Sequence, residues 1–330
     1  MNRRLGLGLV LLTALGVSVI LGVRFGPVSL STREVLSALA GGGAEWHRRI
    51  VVELRLPRML LGALVGGGLA LAGATFQALL RNPLAEPYIL GISGGASLGT
   101  VLVLALGLAG ASSWALPLAA LAGALLAIAL VFHVATASGR ALDVRVLLLA
   151  GVVVAAFFSA CIAFILSVSE ARTVQGAVLW ILGSLAGARW ANVAVTAAYT
   201  LPTALLLLAL ARPLNLMAIG EETAHYLGAD VEKVKRMALA LAALLTAAGV
   251  AVAGVIGFVG LVVPHAIRLL VGSDHRALLP LSFLGGATFL VISDIVAQVA
   301  LAPTQVPVGV ITAFVGVPLF LVLLRRSLVP

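Results

Sequence analysis

The sequence predicts an all-α protein that crosses a membrane many times, and two observations carry this prediction. Of the 330 residues, 62% are hydrophobic and only 10% are charged, whereas a soluble domain needs far more polar residues to cover its surface. Apolar runs without any charge also recur along the whole chain. Because about 20 apolar residues cross a bilayer as one helix, the runs predict about ten transmembrane helices, which we assign to a single domain of residues 1–330.

The positions of the apolar runs place the spans. The first run follows Arg3 and Arg4, and we interpret it as a span of the mature protein because it is long and no Ala-x-Ala cleavage site follows it. The eighth run is too short to cross alone, and the segment from Thr173 to Leu185 is expected to form a half-helix at a membrane face. The predicted spans are 5–25, 57–80, 89–108, 114–136, 145–168, 191–211, 237–256, 258–271, 277–300 and 307–324.

Basic residues predict the orientation of the spans. An even number of spans puts both termini on one side, and placing the terminal arginines in the cytoplasm leaves most other basic residues there too. This bias explains the net charge of +9, so we expect no nucleic-acid partner. A group of arginines on the outer side is the exception to this bias. These arginines would either bind an acidic external partner or be solvated surface charge. These arginines are Arg24, Arg33, Arg48, Arg49, Arg55 and Arg58.

Small residues and prolines predict how the second span packs and ends. Small side chains at a period of four let two helices approach closely in lipid, and here they are Gly62, Gly66, Ala70 and Ala74. The Asn82-Pro83 and Glu86-Pro87 pairs then end the span and hold a tight turn, because proline cannot donate to a helix and the residue before it leaves the helical region.

Small polar residues in the third span leave a catalytic function open. Gly91-Ile92-Ser93-Gly94 has the pattern of an intramembrane serine protease, and Ser97 lies at the centre of a Gly-x-Ser-x-Gly motif. Such an enzyme needs a histidine near its serine, and no spacing ties His133 or His265 to either serine. We therefore expect that the chain is not an enzyme, with the protease as one alternative.

Metal binding and ATP hydrolysis lack the residues that they need. The five histidines are scattered, no carboxylate pair accompanies them, and Cys161 is the single cysteine, so neither a metal cluster nor a disulfide is expected. No Gly-x-x-x-x-Gly-Lys-Ser/Thr phosphate loop is present. We expect no cofactor on this chain, and any ATP and Mg²⁺ would be bound by another subunit.

The longest polar segment inside the chain lies between the sixth and seventh spans, at about residues 212–236. Gly220 and Gly228 are expected to divide it into short helices, with Asp230 capping the helix that follows. Exposed apolar side chains would make the segment a knob that enters a groove on a partner, unless it is a plain surface loop. These side chains are Leu216, Met217, Ile219, Tyr226 and Leu227.

Two later spans carry polar residues. Asp294 lies inside the ninth span with Gln298 one turn later, and such residues face the interior of a bundle. Asp294 would either relay protons in a transporter driven by an ion gradient or accept hydrogen bonds from a neighbouring loop or helix end. Pro264 and His265 are expected to shape a break in the short eighth span.

Five motifs, in this order along the chain, resemble one family of transport proteins. They are Arg81-Asn-Pro-Leu-Ala-Glu-Pro87, Leu90-Gly-Ile-Ser-Gly-Gly-Ala96, Gly257-Phe-Val-Gly-Leu-Val-Val-Pro-His265, Asp274-His-Arg-Ala-Leu-Leu-Pro280 and Val306-Pro-Val-Gly-Val-Ile-Thr312. Together they resemble the FecCD and BtuC type permease subunits of binding-protein-dependent ABC importers, which carry iron siderophores, haem or vitamin B12. The resemblance covers nearly the whole chain.

The resemblance implies a type II ABC importer permease fold of ten helices in a bacterial inner membrane, with both termini cytoplasmic. Two permease copies would form a pathway at their shared axis, with two ATP-binding subunits and an external substrate-binding protein as further partners. The substrate would be a chelated metal compound moved by alternating access. The motifs leave open which chelate is carried and whether the second permease is identical.

The resemblance also implies roles for particular residues. The family uses the loop after the sixth span for coupling to the ATPase, external arginines for docking the binding protein, and the meeting point of the fourth and fifth spans as a cytoplasmic gate. The coupling residues are Leu216, Ile219, Gly220, Glu221, Glu222, Leu227 and Gly228; the docking residues are Arg55 and Arg58; the gate residues are Asp143, Val144, Arg145 and Val146. The structural motif residues are Asn82, Pro83, Glu86, Pro87, Pro264, His265 and Asp294. Gln298 stands where the vitamin B12 permease has a further external arginine.

Overall fold

Helices make up almost all of the structure, a computed structural model that describes residues 2–136 and 144–328. In chain order the α-helices are α1 (Asn2–Arg24), α2 (Thr32–Leu39), α3 (Glu45–Arg48), α4 (Leu56–Leu79), α5 (Ile92–Ala105), α6 (Ala115–Thr136), α7 (Val144–Ser167), α8 (Ala171–Ile181), α9 (Trp190–Ala209), α10 (Ala211–Ile219), α11 (Glu221–Tyr226), α12 (Val231–Ala253), α13 (Val259–Val271), α14 (His275–Val299) and α15 (Val308–Leu328). A π-helix (Arg49–Arg55) leads directly into α4, and 3₁₀ turns occupy Pro87–Leu90 and Leu108–Gly110.

Ten of these helices correspond to the ten predicted spans. In the part of the chain that the structure describes, seven are long and apolar enough to cross a membrane. They are α1, α4 together with α3 and the π-helix before it, α6, α7, α9, α12 and α14. The remaining three, α5, α13 and α15, are apolar over shorter stretches. The predicted all-α, ten-span architecture is confirmed, and α8 confirms a short helix at the predicted half-helix.

The seventh span starts earlier than the apolar run indicated. Helix α12 begins at Val231, whereas the prediction began at residue 237. The side chain of Asp230 accepts a hydrogen bond from the backbone N–H of Lys233 at 3.1 Å, which caps the helix. The cap therefore allows α12 to begin with a charged turn. Hydropathy alone does not include this turn in the span, because the turn is not apolar.

Helix α4 forms the centre of the bundle. It packs against α14, α12, α13 and α9, and 83% of its most apolar stretch is buried within the protein, compared with 17% for α1. A second group consists of α5, α6 and α7, in which α5 contacts both neighbours. The outer helices α1 and α7 therefore present most of their apolar side chains to lipid or to another protein chain.

The predicted small-residue stripe of α4 lies at its contact with α14. A Cβ atom added to Gly66 would come within 2.3 Å of the carbonyl oxygen of Gly286, and one added to Gly286 would come within 2.4 Å of the Cβ atom of Ala70. The two backbones are thus in direct contact, as small residues permit in membrane bundles. This confirms the packing role that the spacing predicted.

A break between α12 and α13 is held by the last turns of α4 and the proline-rich loop that follows it. The backbone N–H of Phe258 donates to Oε1 of Glu86 at 2.9 Å. The hydroxyl of Tyr88 donates to the carbonyl of Ile256 at 3.0 Å and accepts from its N–H at 3.1 Å. Gln77 Nε2 donates to the carbonyl of Leu261 at 3.1 Å. These bonds satisfy backbone groups that an uninterrupted helix would pair internally.

We expect Gly66→Ala to destabilise the bundle, because the new methyl group meets a backbone carbonyl that cannot move independently. Overpacking of this kind costs about 1–3 kcal/mol. Gly68→Ala is the matched control, since its Cβ would lie 3.6 Å from the nearest atom, Cγ2 of Thr200. The midpoint of thermal unfolding in detergent should fall for Gly66→Ala and not for Gly68→Ala. Equal midpoints for the two variants would contradict the α4–α14 contact.

Candidate functional site

The segment between the sixth and seventh spans folds as the sequence predicted. Helix α10 ends at Gly220, which has a φ of +149°, and α11 follows at once. Gly228 has a φ of +86°, and its N–H donates to the carbonyl of His225 at 2.9 Å. These two glycines accept conformations that other residues avoid. Together α10 and α11 make a compact two-helix unit, which we call the knob.

One face of the knob is apolar and exposed. The side chains of Ile219, Tyr226 and Leu227 are 70%, 88% and 61% exposed. Leu216 is half-buried, and Met217 is buried against the bundle. The prediction that Met217 is exposed is therefore wrong, because α10 rests on the bundle through the face that carries Met217. The exposed face is formed instead by the end of α10 and the end of α11.

Glu221 ties the knob to two other parts of the chain. Its carboxylate pairs with the ammonium of Lys235 on α12, and it lies 3.7 Å from a guanidinium nitrogen of Arg81 in the loop after α4. Arg81 also donates to the carbonyl of Met217 at 3.1 Å. Glu221 therefore fixes the knob to the bundle, while Glu222 beside it is exposed.

A second tie, which the sequence did not predict, joins the knob to α14 and α1. Asn215 on α10 donates from Nδ2 to Oδ1 of Asp274 at 2.8 Å. Its Oδ1 accepts from the N–H of His275 at 2.9 Å and lies 2.7 Å from Nδ1 of the same residue. Arg4 on α1 pairs with Oδ2 of Asp274 at 2.6 Å.

The amide of Asn215, together with the backbone N–H of Arg276 and the guanidinium of Arg4, lowers the pKa of the Asp274 carboxyl to about 2. The group is therefore ionised throughout the physiological pH range. The stability that it contributes is present above the ordinary aspartate pKa and is lost only as the pH falls towards 2. Asp274 also caps α14, accepting from the N–H of Arg276 at 3.1 Å, and neither this cap nor the partner Asn215 was predicted from the sequence.

Arg55 and Arg58, the predicted docking residues, are engaged inside the protein. Arg55 is buried and donates to the carbonyls of Val23 and Arg24 at 3.0 and 2.6 Å, and also to that of Val28. It therefore fastens the loop after α1 to the start of α4. The other predicted outer arginines, Arg24, Arg33, Arg48 and Arg49, have exposed side chains. Docking through Arg55 and Arg58 stays a prediction, and it would require their present contacts to open.

The partner of Arg58 is Asp294. Nε and Nη2 of Arg58 donate to the two carboxylate oxygens of Asp294 at 2.7 and 2.8 Å, in bidentate geometry. Gln298 Nε2 donates to the same carboxylate at 2.8 Å, and Nη1 of Arg58 donates to Oε1 of Gln305 at 2.8 Å. Asp294 has no exposed surface. A buried ion pair thus joins α4 to α14, at the carboxylate for which the sequence predicted either a hydrogen bond or a proton relay.

The predicted gate is described only in part. Asp143 lies outside the described residues, and Val144 begins α7. Arg145 is exposed, and Val146 is 37% exposed. The same helix carries a row of exposed apolar residues further along, among them Phe157 and Phe164. The gate assignment therefore stays a prediction.

Catalytic and metal-binding groups are not assembled in the part of the chain that the structure describes. No three His, Cys, Asp or Glu side chains there are placed to hold a metal ion. Ser97 is buried in α5, where its neighbours Gly95 and Gly99 contact backbone carbonyls of α6. The two ring nitrogens of His265 are buried without a hydrogen-bond partner, and its ring packs against Phe320 at 6.2 Å. The small residues around Ser97 thus serve helix packing.

The fold defines a class of protein: a multi-pass membrane bundle with a central helix and a tethered two-helix knob outside the spans. The sequence matches the FecCD transport family over residues 13–326, and the chain belongs to this family.

Known relatives agree with this assignment. The chain is 46% identical to the cobalamin import system permease protein BtuC of Halobacterium salinarum over 86% of this chain and 75% of the relative. It is 41% identical to the hemin transport system permease protein HmuU of Yersinia pestis over 98% and 95%. A solved structure described as an inward-facing conformation of a metal-chelate type ABC transporter superposes with a TM-score of 0.84 at 30% identity, covering 98% and 99% of the two chains. The chain is thus an ABC transporter permease of the metal-chelate, vitamin B12 and haem type.

We expect Arg58→Met and Asp294→Leu to be strongly destabilising when made singly, because each leaves a buried charge without its partner. Such losses cost about 3–5 kcal/mol, whereas replacing both charges by apolar residues is often neutral. The double variant should therefore unfold at a higher temperature in detergent than either single variant. A double variant whose loss equals the sum of the two single losses would show that the pair is not coupled.

Proposed function

We propose that the chain is the transmembrane permease subunit of an ATP-driven importer that moves a chelated metal compound across a bacterial inner membrane. The compound belongs to the class of iron siderophores, haem and cobalamin. Membership of the FecCD family supports this proposal, as do relatives named for cobalamin and hemin transport. Both termini are cytoplasmic in this proposal, and a second permease copy, two ATP-binding subunits and an external substrate-binding protein complete the transporter.

The observation that carries the proposal is the exposed apolar face of the knob. Ile219, Tyr226 and Leu227 expose large side chains in the segment between the sixth and seventh spans, which the proposed topology places outside the lipid. Exposed apolar side chains in such a place mark a surface for another protein. Helices that present an apolar face bind in grooves, and the partner we propose is the ATP-binding subunit. ATP and Mg²⁺ belong to that subunit, and this chain binds no cofactor.

The two ties of the knob give the proposed coupling a physical route. Asn215 links it to the first turn of α14 and, through Asp274, to α1. Glu221 links it to α12 and to the loop after α4. A displacement of the knob by an ATP-binding subunit therefore acts on four of the spans at their cytoplasmic ends. Alternating access results when the partners bind one arrangement of these spans more tightly than the other.

The second copy is proposed to cover the open side of α7 and α15. Only 28% of the most apolar stretch of α7 is buried within this chain, and Phe157, Phe164 and Phe314 are 62%, 70% and 74% exposed. The substrate pathway would run along this apolar surface between the copies, closed towards the cytoplasm by the predicted gate at residues 143–146. An apolar wall suits a bulky chelate that must also be released.

External docking is proposed to begin at the exposed outer arginines, such as Arg48 and Arg49. Charges at a rim speed the encounter with an oppositely charged partner. Arg55 and Arg58 follow in the same segment of the chain. Arg55 holds the loop after α1, and Arg58 holds α14. They take part in docking if binding of the external protein opens their internal contacts.

An ion-driven secondary transporter is not favoured. It needs a carboxylate that exchanges a proton or cation with the pathway, and Asp294 was the candidate. Its two oxygens already accept bidentate bonds from Arg58 and a further bond from Gln298. The carboxylate therefore has the geometry of a fixed structural ion pair.

We expect Tyr226→Asp to weaken binding of the ATP-binding subunit, because it places a charge on the apolar face that would be buried. Purification of the tagged permease from its native membranes should recover less ATP-binding subunit with this variant than with wild type, by about tenfold or more, as is typical when a central aromatic of an interface is lost. Trp46→Asp is the matched control, because Trp46 is 52% exposed in a short helix at the other end of α4. A wild-type permease that never retains an ATP-binding subunit would contradict the proposed function itself.

Replacement of Asn215 by alanine is expected to separate ATP hydrolysis from transport. The knob keeps its exposed face and its Glu221 tie, so the ATP-binding subunit should still bind. The link to α14 is lost, and the substrate carried per ATP hydrolysed should fall several-fold in proteoliposomes. Thr223→Ala is a suitable control, because this exposed residue lies on the knob outside both ties. An unchanged ratio of transport to hydrolysis in the Asn215 variant would rule out this route.

A further inference from the structure

A groove runs between α1 and α14 on the outside of the bundle. It has a volume of about 790 Å³, and its walls are mostly apolar. The wall residues include Leu9 and Leu12 of α1 and Pro280, Leu281 and Leu284 of α14. Both helices are candidate membrane spans, so the groove opens towards the hydrocarbon of the membrane.

One end of the groove carries positive charge. Arg4 and Arg276 line it there, together with Asp274. The carboxylate of Asp274 is already shared between Arg4 and Asn215. The side chain of Arg276 is exposed and has no hydrogen-bond or ion-pair partner among the described residues, and Arg3, which precedes Arg4 in α1, is also exposed. The rim therefore keeps cationic charge that the protein itself does not neutralise.

A groove of this shape and charge matches a phospholipid. The apolar walls start at the rim and continue along the spans, as an acyl chain does below its head group. Basic residues at the end of such a groove recognise anionic head groups. A second copy of this chain fits less well, because a two-fold contact through this face would bring the same arginines of both copies together.

We propose that this groove is a binding site for one anionic phospholipid in the leaflet that contains the N-terminus. Arg276 binds the head-group phosphate, with Arg3 adding positive charge nearby, and one acyl chain lies in the groove between Leu12 and Leu284. The lipid then packs beside Asp274, the residue that links α1 and α14 to Asn215 on the knob. The site depends only on the chain lying in a membrane, and it is independent of the transported substrate.

Native mass spectrometry of the full-length permease in detergent tests the site with dioleoyl phosphatidylglycerol and dioleoyl phosphatidylcholine, which carry the same acyl chains. Wild type should retain phosphatidylglycerol more tightly. Arg276→Gln should weaken phosphatidylglycerol binding about fivefold, which corresponds to about 1 kcal/mol for one cation at an anionic lipid surface. Phosphatidylcholine binding should weaken less, because its choline cation already offsets the charge of its phosphate, so the preference for phosphatidylglycerol should shrink.

Gly8→Leu tests the apolar part of the groove. Gly8 lines the groove, and its Cβ would lie 3.6 Å from Cδ2 of Leu281, an ordinary contact, so leucine fits there and fills the space. Binding of both lipids should fall. Gly6→Leu is the matched control, because no atom lies within 4 Å of its Cβ position and Gly6 does not line the groove.

Three results would overturn the proposal. The first is equal retention of the two lipids by wild type. The second is equal lipid binding by Gly8→Leu and Gly6→Leu. The third is a permease dimer that dissociates in Gly8→Leu or Arg276→Gln, since a second copy would then be the occupant. None of these results depends on the ATP-binding subunit, so the lipid site and the proposed transport function fail separately.

Discussion

Hydrocarbon cannot form hydrogen bonds with a peptide group, and this constraint decides how the centre of the bundle is built. A chain that breaks its helix within a membrane must find new partners inside the protein. The break between α12 and α13 finds them in Glu86, Tyr88 and Gln77. The end of α12 is also bonded to the segment after α8, because the backbone N–H of Ser184 donates to the carbonyl of Ala253. That segment is bonded to the start of α15, because the N–H of Val308 donates to the carbonyl of Gly183. The Glu-Pro loop therefore supports the break, and the break in turn is bonded to the segment after α8, which bonds to the start of α15.

The knob rests on the bundle through buried apolar side chains such as Met217, and a few charged or amide-bearing groups fix its position on that surface. Asn215 and Glu221 hold opposite sides of a unit whose exposed face is apolar. The exposed apolar face and the polar ties have different physical properties. Apolar contacts are non-directional and suit a partner that binds and moves, whereas hydrogen bonds to Asp274 and His275 fix direction and distance. A force applied at the exposed face is thus delivered to defined helix ends.

Most of the fold could be predicted from patterns of local spacing in the sequence. The features that were not predicted depend on contacts between residues far apart in the chain. Apolar runs located the ten spans, and Gly220, Gly228 and Asp230 located the helix ends of the knob, because these signals act over a few residues. Arg58 and Asp294 are 236 positions apart, and no local rule joins them. Burial of Met217 likewise depends on which face of α10 meets the bundle, which its own short sequence leaves undecided.

The shortness of α13 has a consequence for how the protein is made. Its 13 residues extend only about 20 Å at 1.5 Å per residue, less than the roughly 30 Å of hydrocarbon. The helix is therefore a poor independent candidate for insertion as it leaves the ribosome. Its first turn is completed by Glu86 and Gln77, which are synthesised well before it. The start of α13 thus completes its hydrogen bonds against side chains that lie 172 and 184 positions earlier in the chain, so the helix is fully bonded only when those segments are in place.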